Sequence, residues 1–194
     1  MDEDDLPYCI ETHCDVALPG ADDGQIRRVV RAVLKAEGCA GAEISVALLG
    51  EAAVRELNTR YLNRRDDTDV LAFDLAGEDV SEAGGRDADC RAPLLGEVVV
   101  NVDLARCRAA ERRVDPAAEL MLYVVHGCLH LLGHDDAEPA RADAMHRRED
   151  ELLEQLGYGR VFAKKAEPAR NEGPLPPVAP GSADEDVRST GTKP

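Results

Sequence analysis

The chain has 194 residues and a formal net charge of −16, with two Phe, four Tyr and no Trp. This length suits one domain with a substantial core and is short for two, so the core must be built from Leu, Val, Ile and Ala. No apolar run approaches the roughly 18 residues of a membrane span, which excludes a membrane protein. The acidic residues 1–5 have neither the basic nor the apolar region of a secretory signal, so we expect a cytoplasmic protein.

The acidic charge is unevenly distributed along the chain. Residues 1–25 carry a net charge of −8, half of the total, whereas residues 26–50 sum to +2. A net acidic chain argues against a nucleic-acid partner, because binding to phosphates depends on basic side chains. Arg27, Arg31 and Lys35 nevertheless align on one side of the first predicted helix, which indicates either a phosphate-binding stripe or an ordinary solvated face.

Six cysteines are scattered along the chain without any C-x-x-C pair. A chain of this length does not need disulfide bonds to stabilise its fold. We therefore predict free and mostly buried thiols at Cys9, Cys14, Cys39, Cys90, Cys107 and Cys128.

Hydrophobic periodicity predicts alternating helices and strands. Apolar residues recur with helical spacing over 26–34, directly after the capping residues Asp22 and Asp23, so the first helix is amphipathic. A strand at 43–48 alternates apolar and polar residues and ends at Gly50. Further along, the pattern predicts helices at 51–62, 103–113 and 138–156, strands at 69–73 and 97–102, and a Gly-rich acidic loop at 76–93.

Near residue 163 the composition changes to Pro, Gly, Ala, Ser and mixed charge. Such a segment cannot bury enough apolar surface to offset the entropy lost on ordering. We therefore predict one folded domain at 1–163 and a disordered tail at 164–194.

The most informative segment is a predicted helix that begins at Asp115-Pro116 and stops at Gly133. Asp suits the N-cap and Pro the first helical position, while Gly suits a left-handed residue at the C-terminal end. Apolar residues surround this helix almost completely. Such a helix belongs in the middle of the fold.

Two histidines on this helix, His126 and His130, are four residues apart and leave the same face. Imidazoles at this spacing can close on one metal ion, as in helix-borne zinc sites. A pair of core histidines satisfied by hydrogen bonds is the alternative, but burial favours the metal because one ion satisfies both rings. His134, Asp135 and Asp136 follow and can supply a third ligand. Three protein ligands with an open fourth position are typical of a catalytic site, where the ion lowers the pKa of its bound water.

Residues 126–136 read H-G-C-L-H-L-L-G-H-D-D, which resembles the H-G-x-L-H-L-x-G-Y-D-H signature of the YbeY family, bacterial endoribonucleases and ribosomal RNA maturation factors. Two further stretches are similar to family motifs and occur in the same order. Residues 57–61 followed by 68–73 resemble L-N-x-x-Y and T-D-V-L-S-F, and residues 95–99 resemble L-G-D-I-V.

The resemblance implies an α+β fold in which a small mixed β-sheet packs against several helices around a central metal-binding helix, the zincin-like YbeY fold. It implies one zinc ion held by three side chains. It also implies hydrolysis of single-stranded RNA in 16S rRNA 3′-end maturation and ribosome quality control. The implied partners are ribosomal RNA and the small ribosomal subunit, with neither a membrane nor DNA involved.

Three positions depart from the family pattern. The family's third histidine falls on Asp136 and its tyrosine falls on His134. Asp is an accepted zinc ligand, so we predict the metal ligands His126, His130 and Asp136, with His134 as the substitute if the loop bends differently. Many members carry an Arg directly after the aromatic residue of L-N-x-x-Y, as a partner for the scissile phosphate, and here that position is Leu62. The candidates to replace it, among which the sequence does not select, are Arg60, Arg64 and Arg65.

Two other functions fit parts of the pattern. A metallopeptidase uses the same histidine spacing, but it places a Glu general base directly after the first His, where this chain has Gly127. A ribosome-assembly factor with a structural metal and no catalytic activity is the second alternative. The loss of the third histidine makes that alternative more plausible here than for a typical member.

Overall fold

The computed structural model describes residues 8–75 and 94–162. Strands and helices are mixed along the chain, as expected for an α+β fold, and the predicted elements are confirmed within a few residues at each end. The predicted loop at 76–93 and tail at 164–194 lie outside the described residues. In chain order the elements are β1 (Tyr8–Cys14), α1 (Asp23–Ala36), β2 (Ala42–Leu49), α2 (Glu51–Leu62), β3 (Val70–Asp74), β4 (Leu94–Asn101), α3 (Val102–Arg112), α4 (Pro116–Leu131) and α5 (Pro139–Leu156).

The four strands form one mixed sheet in the order β1-β2-β4-β3. β1 and β4 both run parallel to β2, while β3 runs antiparallel to β4. β1 was not predicted from the sequence. Its buried residues Tyr8 and Ile10 alternate with exposed Cys9 and Glu11, but this short period-two pattern lies inside the acidic N-terminal segment, where charge obscures it.

Both faces of the sheet are buried, and the hydrophobic clusters on the two faces differ in size. Val46, Val98 and Val100 belong to the large core that also contains residues of α1, α4 and α5. Leu71 and Val99 point to the opposite face and form a smaller cluster with Val54 of α2. In the two segments that the structure describes, none of the helices combines the length and apolarity needed to cross a bilayer.

Helix α4 packs against the sheet at a contact where two glycines leave no room for a side chain. A Cβ added at Gly127 would lie 2.5 Å from Cγ1 of Val98 and 2.9 Å from Cγ2 of Val70. A Cβ at Gly96 on β4 would lie 2.6 Å from Cδ1 of Leu131. α4 therefore rests directly on β3 and β4 and forms the centre of the fold, as its all-round apolar sequence predicted.

The prediction that the cysteines are mostly buried is wrong. Cys9, Cys14 and Cys107 are exposed and Cys39 is half-buried, because these residues lie on outer elements or connections. Of the cysteines within the described residues, Cys128 alone is buried, and burial raises the pKa of its thiol to about 12. The described cysteines are all free, as predicted, and Cys90 lies outside the described residues.

Candidate metal centre

The local sequence of α4 determines where its histidines lie. The Asp115 carboxylate caps the helix by accepting a hydrogen bond from the Ala117 N–H at 2.9 Å. The regular helix then carries His126 and His130 one turn apart. Gly133 adopts φ +92° just after the helix, as predicted for its left-handed stop. This turn brings the following residues back towards the histidines.

The three predicted ligands come together in space. His126 Nε2 and His130 Nε2 are 3.0 Å apart, and the Asp136 carboxylate oxygens lie 3.8 Å from His126 Nε2 and 3.9 Å from His130 Nε2. One donor atom from each residue lies within 4.8 Å of the other two. In a tetrahedral site with ligand bonds of about 2.0–2.2 Å, donor atoms are about 3.3 Å apart. Small movements would therefore let this cluster hold one metal ion.

Exposure increases across the cluster. The His126 side chain is 16% exposed, that of His130 28%, and that of Asp136 42%. The buried side of the site is thus formed by helix α4, while the carboxylate lies at the surface. A ligand or substrate can approach the cluster from the side of Asp136.

Hydrogen bonds to the opposite nitrogens orient both imidazole rings. His126 Nδ1 lies 2.6 Å from Oε1 of Glu149, and His130 Nδ1 lies 3.1 Å from the main-chain carbonyl oxygen of His134. A carbonyl and a carboxylate both accept hydrogen bonds, so each Nδ1 carries the proton and each Nε2 of a neutral ring carries a lone pair. Two such lone pairs at 3.0 Å repel each other. A cation between them removes the repulsion.

Glu149 adds negative charge behind the histidines. Its side chain is fully buried, and its Oε2 has no hydrogen-bond partner among the described residues. Burial of His126 works to lower its pKa, but the hydrogen bond and charge of Glu149, together with the charges of Asp69 and Asp136, raise it above the ordinary value. The site therefore stabilises positive charge, whether as a proton or as a metal ion.

His134, the substitute ligand, turns away from the histidine pair. Its Nε2 lies 3.0 Å from Oε2 of Glu37, at the C-terminal end of α1. Asp135 is also engaged elsewhere, because its carboxylate accepts from the Ala137 N–H and pairs with Arg141. The arrangement favours Asp136 as the third ligand, and the ligand set stays a prediction.

A pocket opens beside the cluster, between the edge of β3 and the end of α4. Its volume is about 350 Å³. His130 forms part of its wall, so a molecule in this pocket would lie next to the proposed metal. The lining residues are Ala72, Asp74, His130, Leu131, Leu132 and Gly133.

Sequence reasoning missed Glu149 and Glu37. Glu149 had a detectable signal, since it interrupts the apolar stripe that Met145, Leu152 and Leu153 form on the last helix, and a charge at such a position predicts a buried partner. Glu37 had no comparable signal, because it follows α1 and meets His134 only through the tertiary fold.

The structure gives little support to the basic residues that the sequence predicts to bind phosphate. Arg60 lies 5.6 Å from the centre of the Tyr61 ring, and both Arg64 and Arg65 are exposed. Within the described part of the chain, no hydrogen bond or ion pair joins these three arginines to the histidines. On α1, Arg31 packs over the Tyr8 ring. The phosphate partner and the basic stripe on α1 both stay predictions.

Comparisons with known proteins agree with the fold and the sequence motifs. A family profile described as Endoribonuclease YbeY matches residues 16–157. A protein named Endoribonuclease YbeY from Anaeromyxobacter sp. (strain Fw109-5) is 40% identical over 146 residues, covering 75% of this chain and 71% of the relative. One of the same name from Salinibacter ruber is 39% identical over 132 residues, covering 68% and 82%.

Among solved structures, the solution structure of TM1509 from Thermotoga maritima has a similar fold. It superposes with a TM-score of 0.52 and 23% sequence identity, covering 84% of this chain and 99% of that protein. This likeness supports the fold alone, whereas the profile match and the relatives support the family. This chain belongs to the endoribonuclease YbeY family.

Proposed function

We propose that this protein is a zinc-dependent endoribonuclease that cleaves single-stranded RNA. It acts in 16S rRNA 3′-end maturation and in ribosome quality control in the cytoplasm, with the small ribosomal subunit as its partner. Family membership supports the reaction class. The observation that carries the metal dependence is the approach of two histidine Nε2 atoms to 3.0 Å beside the Asp136 carboxylate.

One zinc ion is held by His126, His130 and Asp136 in this proposal. When bound, zinc supplies a Lewis acid and activates a water near neutral pH. An anionic ligand lowers the net charge of the site, so the water is less acidified than with three neutral imidazoles. We therefore expect the pH at which activity rises to lie above that of family members with three histidines.

The surrounding residues orient the ligands and leave one side open. Glu149 holds the His126 ring through Nδ1 and balances positive charge, while the His134 carbonyl holds His130 in the same way. Such outer contacts fix the ring orientation and make the ligands more basic. The pocket beside His130 is the place for a nucleotide next to the scissile bond.

A peptidase reaction is poorly supported. The Glu that such enzymes place after the first histidine corresponds to Gly127, and even a Cβ there would lie 2.5 Å from Val98. The position faces the sheet and offers no space for a general base.

A ribosome-assembly factor with a structural metal would use the same three ligands, so cleavage has to separate the two functions. The open side of the site and the adjoining pocket favour catalysis, because structural zinc sites are usually closed by four protein ligands.

The decisive experiment measures zinc content and RNA cleavage on the same preparations. We would compare wild type with His130→Ala, Asp136→Ala and His134→Ala, using mass spectrometry for zinc and a fluorescent single-stranded RNA as substrate. We expect His130→Ala and Asp136→Ala to lose both zinc and cleavage. His146→Ala is the matched control, because this histidine stacks on Phe162 outside the cluster and should leave zinc content unchanged.

Two results would contradict the proposal. Full zinc in both Asp136→Ala and His134→Ala would exclude a three-ligand site that uses either residue. RNA binding without any cleavage by the zinc-loaded wild type would favour the assembly factor.

A further inference from the structure

The loop that carries Asp136 is attached to a distant part of the fold by His134. The His134 ring is half-buried, and its Nε2 donates to Oε2 of Glu37 at 3.0 Å. Glu37 follows α1, so this contact joins two segments that are 97 residues apart in the sequence. The side chain of His134 therefore works as a tether for the loop.

Arg148 of α5 fixes Glu37 from its other side. Its Nε donates to Oε1 of Glu37 at 2.7 Å, and its Nη2 donates to the Ala36 carbonyl at 3.2 Å. Both oxygens of Glu37 are thus used, one by Arg148 and the other by His134. The Glu37 side chain is only 16% exposed, so the carboxylate at the centre of the network is largely shielded from solvent.

The main chain of His134 reaches the proposed metal ligands. Its carbonyl oxygen accepts from His130 Nδ1 at 3.1 Å, and its N–H donates to the Leu129 carbonyl at 3.0 Å. His134 thus connects Glu37 at one end to the His130 ring at the other. Asp136 follows two residues later on the same loop.

We propose that Glu37 is a positioning residue for the metal centre: through His134 it holds the loop that orients His130 and presents Asp136. The inference rests on the proposed function only in that zinc binds to His126, His130 and Asp136. It accounts for the histidine at a position where the family signature has tyrosine, because Glu37, which is held by Arg148 of α5, provides this histidine with a charged partner just after α1.

This role and a ligand role for His134 predict opposite effects of removing Glu37. If Nε2 of His134 were the third ligand, it would have to leave Glu37 to reach the ion, and loss of Glu37 would tighten zinc binding. If Glu37 positions the loop, its loss weakens zinc binding. The sign of the change in the zinc dissociation constant therefore separates the two roles.

The test is a zinc titration against a competing chromophoric chelator, which measures the dissociation constant without RNA or activity. For Glu37→Ala we expect about 10-fold weaker binding, the lower end of the usual effect of losing an outer support of a metal site, because Glu37 acts on the ligands only through His134. Glu37→Gln keeps an oxygen that accepts from His134, so part of the affinity should return. Glu151→Ala is the matched control, since it removes the other carboxylate on Arg148 but not the tether.

Glu37→Gln keeps the sign test valid if Glu37→Ala folds poorly, and a third variant removes the other partner of the same contact. His134→Phe removes the ring nitrogens and retains the main-chain carbonyl, so it should weaken zinc binding to a similar extent. The zinc affinity of the double variant Glu37→Ala/His134→Phe should be no lower than that of the single variant with the lower affinity. Both changes remove the same contact. Circular dichroism and urea unfolding show which variants are folded.

The outcomes separate this inference from the proposed function. Unchanged or tighter zinc binding by folded Glu37→Ala overturns the positioning role but leaves a zinc enzyme in place. Additive losses in the double variant also overturn it. A wild type that binds no zinc overturns the proposed function and, with it, this inference.

Discussion

Two buried glutamates lie near opposite ends of helix α4, and they differ in the partner that balances their charge. Glu119 and Glu149 are both fully buried, and each has an Oε2 atom with no hydrogen-bond partner among the described residues. Glu119 pairs with Nη1 of Arg112 at 2.7 Å, whereas Glu149 pairs with Nδ1 of His126 at 2.6 Å. A guanidinium is always charged, but an imidazole is charged only when protonated.

This difference separates a carboxylate with a permanently charged partner from one whose partner is charged only on gaining a cation. Arg112 keeps its charge, so Glu119 has a permanent cationic partner and the pair needs no bound ion. Glu149 is balanced only when His126 gains a proton or shares a metal ion. The C-terminal half of α4 is therefore the half that gains from binding a cation, and three experiments can test this distinction.

Removal of Arg112 should have the largest effect on stability. Arg112→Ala leaves Glu119 buried and uncompensated, and we expect the free energy of unfolding to fall by about 3 kcal/mol, measured by urea denaturation. The zinc dissociation constant should not change. Arg108→Ala is the control, because its pair with Glu111 is exposed and screened by solvent, so its loss should change the stability little. Equal losses in the two variants would show that Glu119 needs no compensation.

Zinc should stabilise the protein through the histidine pair. With free zinc at one hundred times its dissociation constant, the free energy of unfolding should rise by about 2.7 kcal/mol relative to chelator-treated protein. Urea denaturation with zinc or with a chelator measures this difference. Arg112→Ala should gain as much as wild type and His126→Ala should gain almost nothing. A full gain in His126→Ala would place zinc elsewhere.

Neutralising the carboxylate behind His126 should weaken zinc binding. For Glu149→Gln we expect a zinc dissociation constant about 10–100 times higher, because the His126 ring loses its anionic support. Glu119→Gln is the matched substitution at the other buried site and should leave zinc affinity unchanged. Chelator competition measures both. The distinction fails if the two variants shift the constant equally.

Glu37 provides a smaller effect that depends on pH. Burial works to raise its pKa, but hydrogen bonds from Arg148 and His134 outweigh burial and hold the pKa below its usual 4.5. Because the folded pKa is the lower one, Glu37 stabilises the protein above pH 4.5, and this contribution is lost as pH falls through the folded pKa.

At pH 6 and without metal, we expect the free energy of unfolding of wild type to exceed that of Glu37→Gln by about 0.5–1 kcal/mol. The difference should disappear well below pH 4.5. Urea denaturation at a series of pH values checks this. A difference that persists in acid would assign the effect to packing instead of charge.

Local signals predicted α4 well, because each of them operates within a turn or two. The Asp115 cap, the Pro116 start, the Gly133 stop and the side-by-side histidines were all found where the sequence predicted. Asp136 also lies beside the histidines, since a tight turn after a helix leaves little freedom for the next few residues.

Long-range contacts could not be predicted in the same way. Glu149 reaches His126 from the next helix, and Glu37 reaches His134 from the first helix. No short-range periodicity encodes these pairs, because they arise only when the helices pack. The prediction that Cys9 and Cys14 are buried is wrong for a related reason. The sequence pattern does not reveal the strand that carries them, so it does not show which of its positions face solvent.

The closeness of the three proposed ligands along the chain affects the order of events during biosynthesis. His126, His130 and Asp136 come from one helical turn and the loop after it, so bringing them together closes only a short loop and costs little entropy. Glu149 is synthesised later, and it reaches His126 only when the last helix docks. We therefore expect a nascent chain to gain a weak ion site first, and tight uptake of the ion to report that the domain is complete.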